Sequence, residues 1–299
     1  MSQDGAIDIV ANLYTADVVA MRPTWSREFF GGKIGVGDET LAGISVEQYI
    51  AMMDRAGIER AFLVANRSGP AWDPISFQMP YERVAEVVRA HPDRFSGLAG
   101  IDPSAGLRSV REMEWGIREL GFVGAHFDPH WFGIEPDDRR VYPFYAKCVE
   151  LDVPIQLQVG HCLRYSSERP LRSTGRPIAL DTVACDLPEL KLVGIHIGWP
   201  WTEEMISVSY KHPNVDIGSD AYAPKHWPPE FVRYIDSWGS DKVLFGTDFP
   251  VIDPERAMRE IGELPIRPES RRKLLRENTL KLYRLEQGAR VQEAAGSTP

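Results

Sequence analysis

The sequence predicts an α/β protein, a (β/α)8 TIM barrel, and three observations predict it. Eight short apolar runs recur along the chain, and helical patterns separate them. Neither a GxGxxG nor a GxxxxGK[ST] loop follows any run, so the alternative, an open doubly wound sheet that binds nucleotides, has no support.

The runs are AIDIVAN (6–12), RAFLVA (60–65), FSGLAGI (95–101), FVGAHF (122–127), PIQLQV (154–159), KLVGIHI (191–197), NVDIGS (214–219) and KVLFGTD (242–248). Several are nearly continuous in apolar residues, as strands buried on both faces require. The first helix reads SVEQYIAMMDRAG, with Ser45 as N-cap, Gly57 as C-cap and Tyr49, Met52, Met53 and Ala56 on one stripe. YERVAEVVRA sets Val84, Val87 and Val88 at helical spacing. LRSVREMEWGIRELG, YPFYAKCVELD, ALDTVACDL, WTEEMISVSYKH and PEFVRYIDSWG continue the series. Met and aromatic residues on these stripes are read as core. Residues 1–285 form one TIM-barrel domain in this reading, and 286–299, ending in QEAAGSTP, form a flexible tail. A long connection at about 13–44, with Pro23, Trp25, Phe29, Phe30, Gly31 and Gly32, reads as a functional loop, often a lid.

Composition narrows the partners. The 299 residues carry a formal net charge of -9, which argues against nucleic acid, and no apolar run reaches membrane-spanning length. A small-molecule substrate, a cytoplasmic location and a homodimer are the expectations. Three cysteines, Cys148, Cys162 and Cys185, lack CxxC or CxxH spacing, so neither disulfides nor structural zinc is expected. Cys148 is read as core. Cys162 is read as a small buried residue rather than a nucleophile.

In a barrel the strand C-termini face the active site. Those ends offer Asn12, then Asn66 and Arg67, then His126, Asp128, His130 and Trp131. Gln156, Gln158 and His161 follow, then His196, Trp199 and Trp201, then Asp216 and Asp220, and finally Gly246-Thr247-Asp248-Phe249-Pro250. One histidine alone is usually structural, but four of the seven (126, 130, 161 and 196) fall on this face. Trp131, Trp199 and Trp201 read equally as an aromatic binding wall or as packing under a lid.

These ends resemble a known family. ID at 7–8, GFVGAHF at 121–127, VPIQLQVG at 153–160, LKLVGIHIGW at 190–199, VLFGTDFP at 243–250 and ENTLKLYRL at 277–285 occur in its order. The GTDFP element is the most specific. The family is the amidohydrolase superfamily, in the branch of aminocarboxymuconate-semialdehyde decarboxylase, resorcylate decarboxylases and aromatic-ring lactonases. The resemblance implies an HxH pair on strand 1, a histidine on each of strands 5 and 6, and an aspartate on strand 8. Asp248 and His196 match the last two, whereas Val10 and Asn12 stand for HxH and Gln158 for the strand 5 histidine.

Valine cannot coordinate a metal, and neutral amides are weak zinc ligands. The expectation is therefore a site without a metal cofactor, Zn2+ near Asp248 and His196 being the alternative. Asp248 then acts as general base, His196 orients it, and His126 and His161 polarise a carbonyl. Asn12 and Gln158 fill the former metal site, while His130, Trp131 and Trp199 bind substrate. Arg67 or Arg164 either holds a substrate carboxylate or is an ordinary surface residue, the second being favoured. The expected activity is hydrolysis at a carbonyl centre, such as a lactone, of a small cyclic or aromatic substrate. The alternatives are decarboxylation of an aromatic or unsaturated acid and, from a different class, a non-catalytic barrel that binds a ligand.

Overall fold

The computed structural model describes residues 5–163 and 170–285. Arg164 and the tail at 286–299 lie outside the described residues. Eight parallel strands make one sheet in chain order: β1 (Ala6–Ala11), β2 (Ile58–Ala65), β3 (Phe95–Gly100), β4 (Gly124–Phe127), β5 (Ile155–Gln158), β6 (Leu192–Ile195), β7 (Val215–Gly218) and β8 (Val243–Leu244). β8 pairs with β7, and the chain just beyond it returns to β1. Ile9 N donates to Phe245 O at 3.0 Å, Asp248 N to Val10 O at 2.9 Å and Asn12 N to Phe249 O at 2.9 Å. These bonds close the barrel.

Seven of the eight expected runs contain their strand, and β2 begins at Ile58, two residues before its run. The last one pairs over only two residues because the chain turns at Asp248, whose φ of 52° is left-handed. Helices α1 (Val46–Ala56), α2 (Tyr81–Ala90), α3 (Leu107–Arg118), α4 (Tyr142–Leu151), α5 (Ile178–Asp186), α6 (Thr202–Lys211) and α7 (Pro229–Ile235) fall on the seven helical patterns. Ser45 and Gln48 form a reciprocal capping box on α1, and Gly57 ends it at a φ of 73°. An eighth helix, α8 (Pro254–Glu263), carries a signal the pattern reading passed over: Asp253 caps Arg256 N, with Pro254 in the first turn.

Ile7, Ile9, Phe62, Val64, Leu98, Val193, Ile195 and Leu244 form one apolar cluster. Their spacing of two along each strand puts them on one side of the wall. Gln156 of β5 crosses to β1, donating to Ile9 O at 2.9 Å and to the Tyr283 hydroxyl at 2.8 Å, so this cluster is the barrel interior. The larger cluster packs the helices on the outside. The connection at about 13–44 is built rather than structureless. Short helical segments Ala16–Met21, Trp25–Arg27, Glu28–Ile34 and Asp38–Ala42 bury Val18, Trp25, Phe29, Phe30 and Leu41. Trp25 Nε1 bonds Ile75 O at 2.8 Å, which holds this loop down over the strand ends. Among the described residues no helix is long and apolar enough to cross a membrane.

Asp8 joins the first strand to the last. Its carboxylate accepts from Thr247 N at 3.0 Å, from Thr247 Oγ1 at 2.5 Å and from Val10 N at 3.1 Å. Complete burial outweighs these three donors and lifts its pKa to about 7. A carboxylate raised in the fold binds its proton more tightly there than in the unfolded chain, at about 3.9. Its contribution to stability is therefore greatest below pH ~4 and declines as pH rises toward 7. Denaturant titrations of wild type and Asp8→Asn at pH 5 and pH 8 should show the stability difference moving against wild type by about 2 kcal/mol. A difference constant with pH means that Asp8 is ionised throughout.

Candidate active site

Four strand ends supply the floor of the cavity. Asn12 follows β1, Gln158 ends β5, His196 follows β6 and Asp248 follows β8. The backbone that presents them is unusual: His196, Ile197, Ala221 and Asp248 have φ of 68°, 49°, 65° and 52°. Side chains with a Cβ seldom adopt this conformation, and at strand ends it swings them inward over the barrel mouth. Gly246 is required beside them, because a Cβ there would lie 2.8 Å from Asp220 Cβ.

His196 is the hub. Its Nε2 lies 3.2 Å from Asp220 Oδ2 and 3.7 Å from Asp248 Oδ2, and its Nδ1 lies 3.1 Å from Gln158 Nε2. Asp220 Oδ1 accepts from His196 N at 3.0 Å. Asp220 Oδ2 is buried and, apart from its ion pair with His196, has no hydrogen-bond partner among the described residues. Asn12 Nδ2 donates to Asp248 Oδ1 at 3.0 Å and to Phe249 O at 2.9 Å. Burial lifts Asp248 to about 7; His196 opposes the rise, and Asp220 and Asp128 add to it. Burial works against charge on His196, but Asp220, and then Asp248 and Asp128, outweigh it and bring the imidazole to about 9.

Deeper in the wall, His126 Nε2 meets Asp128 Oδ1 at 3.1 Å and its Nδ1 meets Gln156 Oε1 at 3.3 Å. Burial disfavours charge on both partners, yet their mutual attraction prevails. His126 is raised and Asp128 lowered, as in an ion pair. Above the floor, Trp25, Phe29, Phe30, Trp131, Tyr222 and Val251 line a cavity open to the barrel mouth. Trp25 packs on Trp131 with ring centroids 4.8 Å apart.

The structure thus gathers Asp248, His196, His161, His126, Asn12, Gln158 and Trp131 around one cavity. It does not bring Arg67, His130 or Trp199 to the lining. Arg67 turns into a short hairpin with Phe77–Gln78, its guanidinium bonded to Glu112 at 2.6 Å and Met79 O at 2.5 Å. His130 is buried under the chain after β5, with Nδ1 accepting from Thr174 N at 3.0 Å. Burial pushes its pKa down to about 4 and keeps the ring neutral. Trp199 stands outside, edge-on to His161 and tilted against Tyr222. Cys162 is buried, and burial raises its thiol to about 12, consistent with packing rather than attack. Among the residues left without a role in the sequence are Asp220 and Arg22, the second of which lines the same cavity. The strand-end rule that selects Asp248 applies equally to Asp220. Nothing local marks Arg22 within its long loop.

Comparison with known proteins gives these groups a context. The family model described as Amidohydrolase matches residues 45–285. A 2-keto-4-carboxy-3-hexenedioate hydratase from Sphingobium sp. is 33% identical over 135 residues, which is 38% of this chain and 38% of the relative. A gamma-resorcylate decarboxylase from Polaromonas sp. is 23% identical over 290 residues, covering 80% of this chain and 87% of the relative. An uncharacterised TIM-barrel protein from Bordetella bronchiseptica superposes with a TM-score of 0.76 at 26% identity, over 93% of this chain and 97% of the other. A 5-carboxyvanillate decarboxylase from Novosphingobium aromaticivorans, complexed with manganese and a nitrobenzoic acid, gives 0.70 at 19% identity, over 94% and 96%.

Two expectations are corrected by these findings. Lactone hydrolysis finds no counterpart among these relatives, whose named activities are decarboxylation and hydration. The expectation of a site without metal is overturned by the manganese-bound neighbour and by the local donors. His196, Asp220 and Asp248 each place one ligand atom within 4.8 Å of the others. The ligand count went wrong at Val10, Asn12 and Gln158 because it omitted Asp220. One imidazole and two carboxylates suit a divalent ion such as manganese or zinc, and Asp220 Oδ2, buried without a hydrogen bond, is an atom such an ion would satisfy.

Gln158 holds the far nitrogen of His196, so it positions the ligand without touching the ion. In equilibrium dialysis against manganese, Gln158→Leu should weaken affinity roughly 10–100-fold, and Asp220→Asn should reduce occupancy well below one equivalent. Unchanged affinity in both variants would place the metal elsewhere.

Proposed function

The chain belongs to the amidohydrolase family, and on that premise we propose that it is a carboxy-lyase acting on a small aromatic or unsaturated acid. The observation that carries this reading is Asp248. It is a part-buried carboxyl at the floor of an aromatic-walled cavity, beside an imidazole and a second carboxylate, and its surroundings raise its pKa toward neutrality. A group near neutrality serves as both proton donor and acceptor. His196 and Asp220, joined by Asp248 while it is ionised, are the donors that would hold a divalent cation, which when bound supplies polarisation of a substrate oxygen.

The protein's own groups account for the remaining requirements. The rings of Trp25, Phe30, Trp131 and Tyr222 fit a planar substrate and exclude water. Asp248 donates its proton to the carbon that bears the carboxylate. Breaking that carbon–carbon bond then returns the electron pair to the ring or conjugated chain and releases carbon dioxide. Asn12 fixes Asp248 through Oδ1, leaving Oδ2 toward His196. The His126–Asp128 pair keeps its charge inside the wall and adds to the field at Asp248.

Hydration of an unsaturated acid is the second reading, favoured by the 33% identity to the hydratase. It needs the same proton transfer to carbon, with water rather than loss of carbon dioxide completing the step. Headspace carbon dioxide and mass change, measured across a panel of hydroxybenzoates and unsaturated diacids, separate the two. Asp248→Asn should lower turnover about 10²–10⁴-fold on the accepted substrate while the thermal midpoint holds. A lowered midpoint with turnover per folded molecule unchanged would make Asp248 a structural residue.

A further inference from the structure

Arg22 follows the short helix Ala16–Met21 in the connection between β1 and α1. Its guanidinium carbon lies 4.5 Å from the Phe77 ring centre, 4.8 Å from that of Tyr14 and 5.5 Å from that of Phe30. Three rings therefore fix the group in place. They supply cation–π attraction but no hydrogen-bond acceptors in the guanidinium plane. Arg22 Nε and Nη2 are buried and without a hydrogen-bond partner among the described residues. No carboxylate pairs with it among those residues either. Burial draws its pKa down to about 10, which leaves it charged at neutral pH. The residue keeps some contact with solvent, but buried donors of a charged group left unmatched are costly, and such atoms at a cavity wall call for an acceptor from outside the chain.

The position of Arg22 indicates which acceptor. It lines the same cavity as His196 and Asp248, and it is the one Lys or Arg among the described lining residues. A guanidinium offers a planar fork of donors that matches a carboxylate.

We propose that Arg22 anchors a second, non-reacting carboxylate, so that the substrate is a dicarboxylic aromatic or unsaturated acid. This inference rests on the carboxy-lyase reading for the distinction between the two carboxylates. The leaving carboxylate surrenders its charge to the ring as carbon dioxide departs. A fixed cation clasping that group would stabilise the ground state more than the transition state and slow the reaction. A carboxylate that stays ionised throughout loses nothing by being held, and its binding energy orients the ring against Asp248.

The test reads binding, not turnover. Calorimetric titration of the manganese-supplied protein compares benzoate with the three benzenedicarboxylates. The best diacid should bind roughly 10–100-fold more tightly than benzoate, the range of a charge-assisted hydrogen-bonded contact. Arg22→Met keeps the stem among the rings and should bring that ratio close to one, with benzoate affinity changed less than about threefold. Arg22→Lys keeps the charge without the fork and should fall between them. Equal affinities for mono- and diacid in wild type, or a ratio retained in Arg22→Met, would overturn the proposal. If Arg22→Met does not fold, the wild-type ratio and the Arg22→Lys ratio decide. A diacid preference that depends on Arg22, in a protein releasing no carbon dioxide from any acid tested, removes the carboxy-lyase reading and leaves the anchor. Carbon dioxide release without diacid preference removes the anchor alone.

Discussion

One carboxylate holds the closure on which the site depends. A barrel joins its first strand to its last, and here the last has only two residues in regular pairing, Val243 and Leu244. Asp8 makes up the difference by gathering the backbone and hydroxyl of Thr247 onto β1. With Thr247 fixed, Asp248 is delivered next to Asn12, and Phe249 accepts from the Asn12 side chain. The floor of the cavity is thus an extension of the seam that seals the barrel. An error in that seam would be felt at Asp248 before it was felt elsewhere.

The seam also brings charges together. Asp220 and Asp248 converge on His196, while Asp128 and His126 pair in the adjoining wall. Carboxylates crowded in a place with little water are tolerated through protons, imidazolium or a bound cation. That demand links the raised Asp248 to the ligand cluster: both answer the same excess of negative charge. Arg22 stands among aromatic rings and within reach of the charge on Asp248, so the cavity has an acidic floor and a basic contact supplied by its overlying loop. A substrate with separated electron-rich and anionic ends meets both.

Much of this was legible in the sequence. Parallel strands buried on both faces must be apolar along their length, so runs such as FSGLAGI and KLVGIHI mark themselves, and their ends bring His196 and Asp248 to one mouth. Other residues were illegible for identifiable reasons. Arg67 directly follows β2, but the chain folds back there into a hairpin and spends the guanidinium on Glu112. Arg22 lies in a long connection whose short helical segments have no strong period, so neither its depth nor its direction follows from spacing. Asp220 was placed at a strand end but given no role; the left-handed turn at Ala221 and the close approach of Gly246 show it turned onto His196. Three replaced ligand positions were legible, and so was the place of Asp220; its role beside His196 and Asp248 was not.

The left-handed backbone at His196, Ile197, Ala221 and Asp248 has a consequence for the protein's history. Each such residue costs on the order of 1–3 kcal/mol relative to a conformation it would prefer, and glycine would relieve part of that cost. Two of the four carry the side chains at the centre of the site. Glycine at His196 or Asp248 would therefore ease the backbone while removing the side chains that build the cavity floor, so thermal endurance and the make-up of the site pull against each other at these positions.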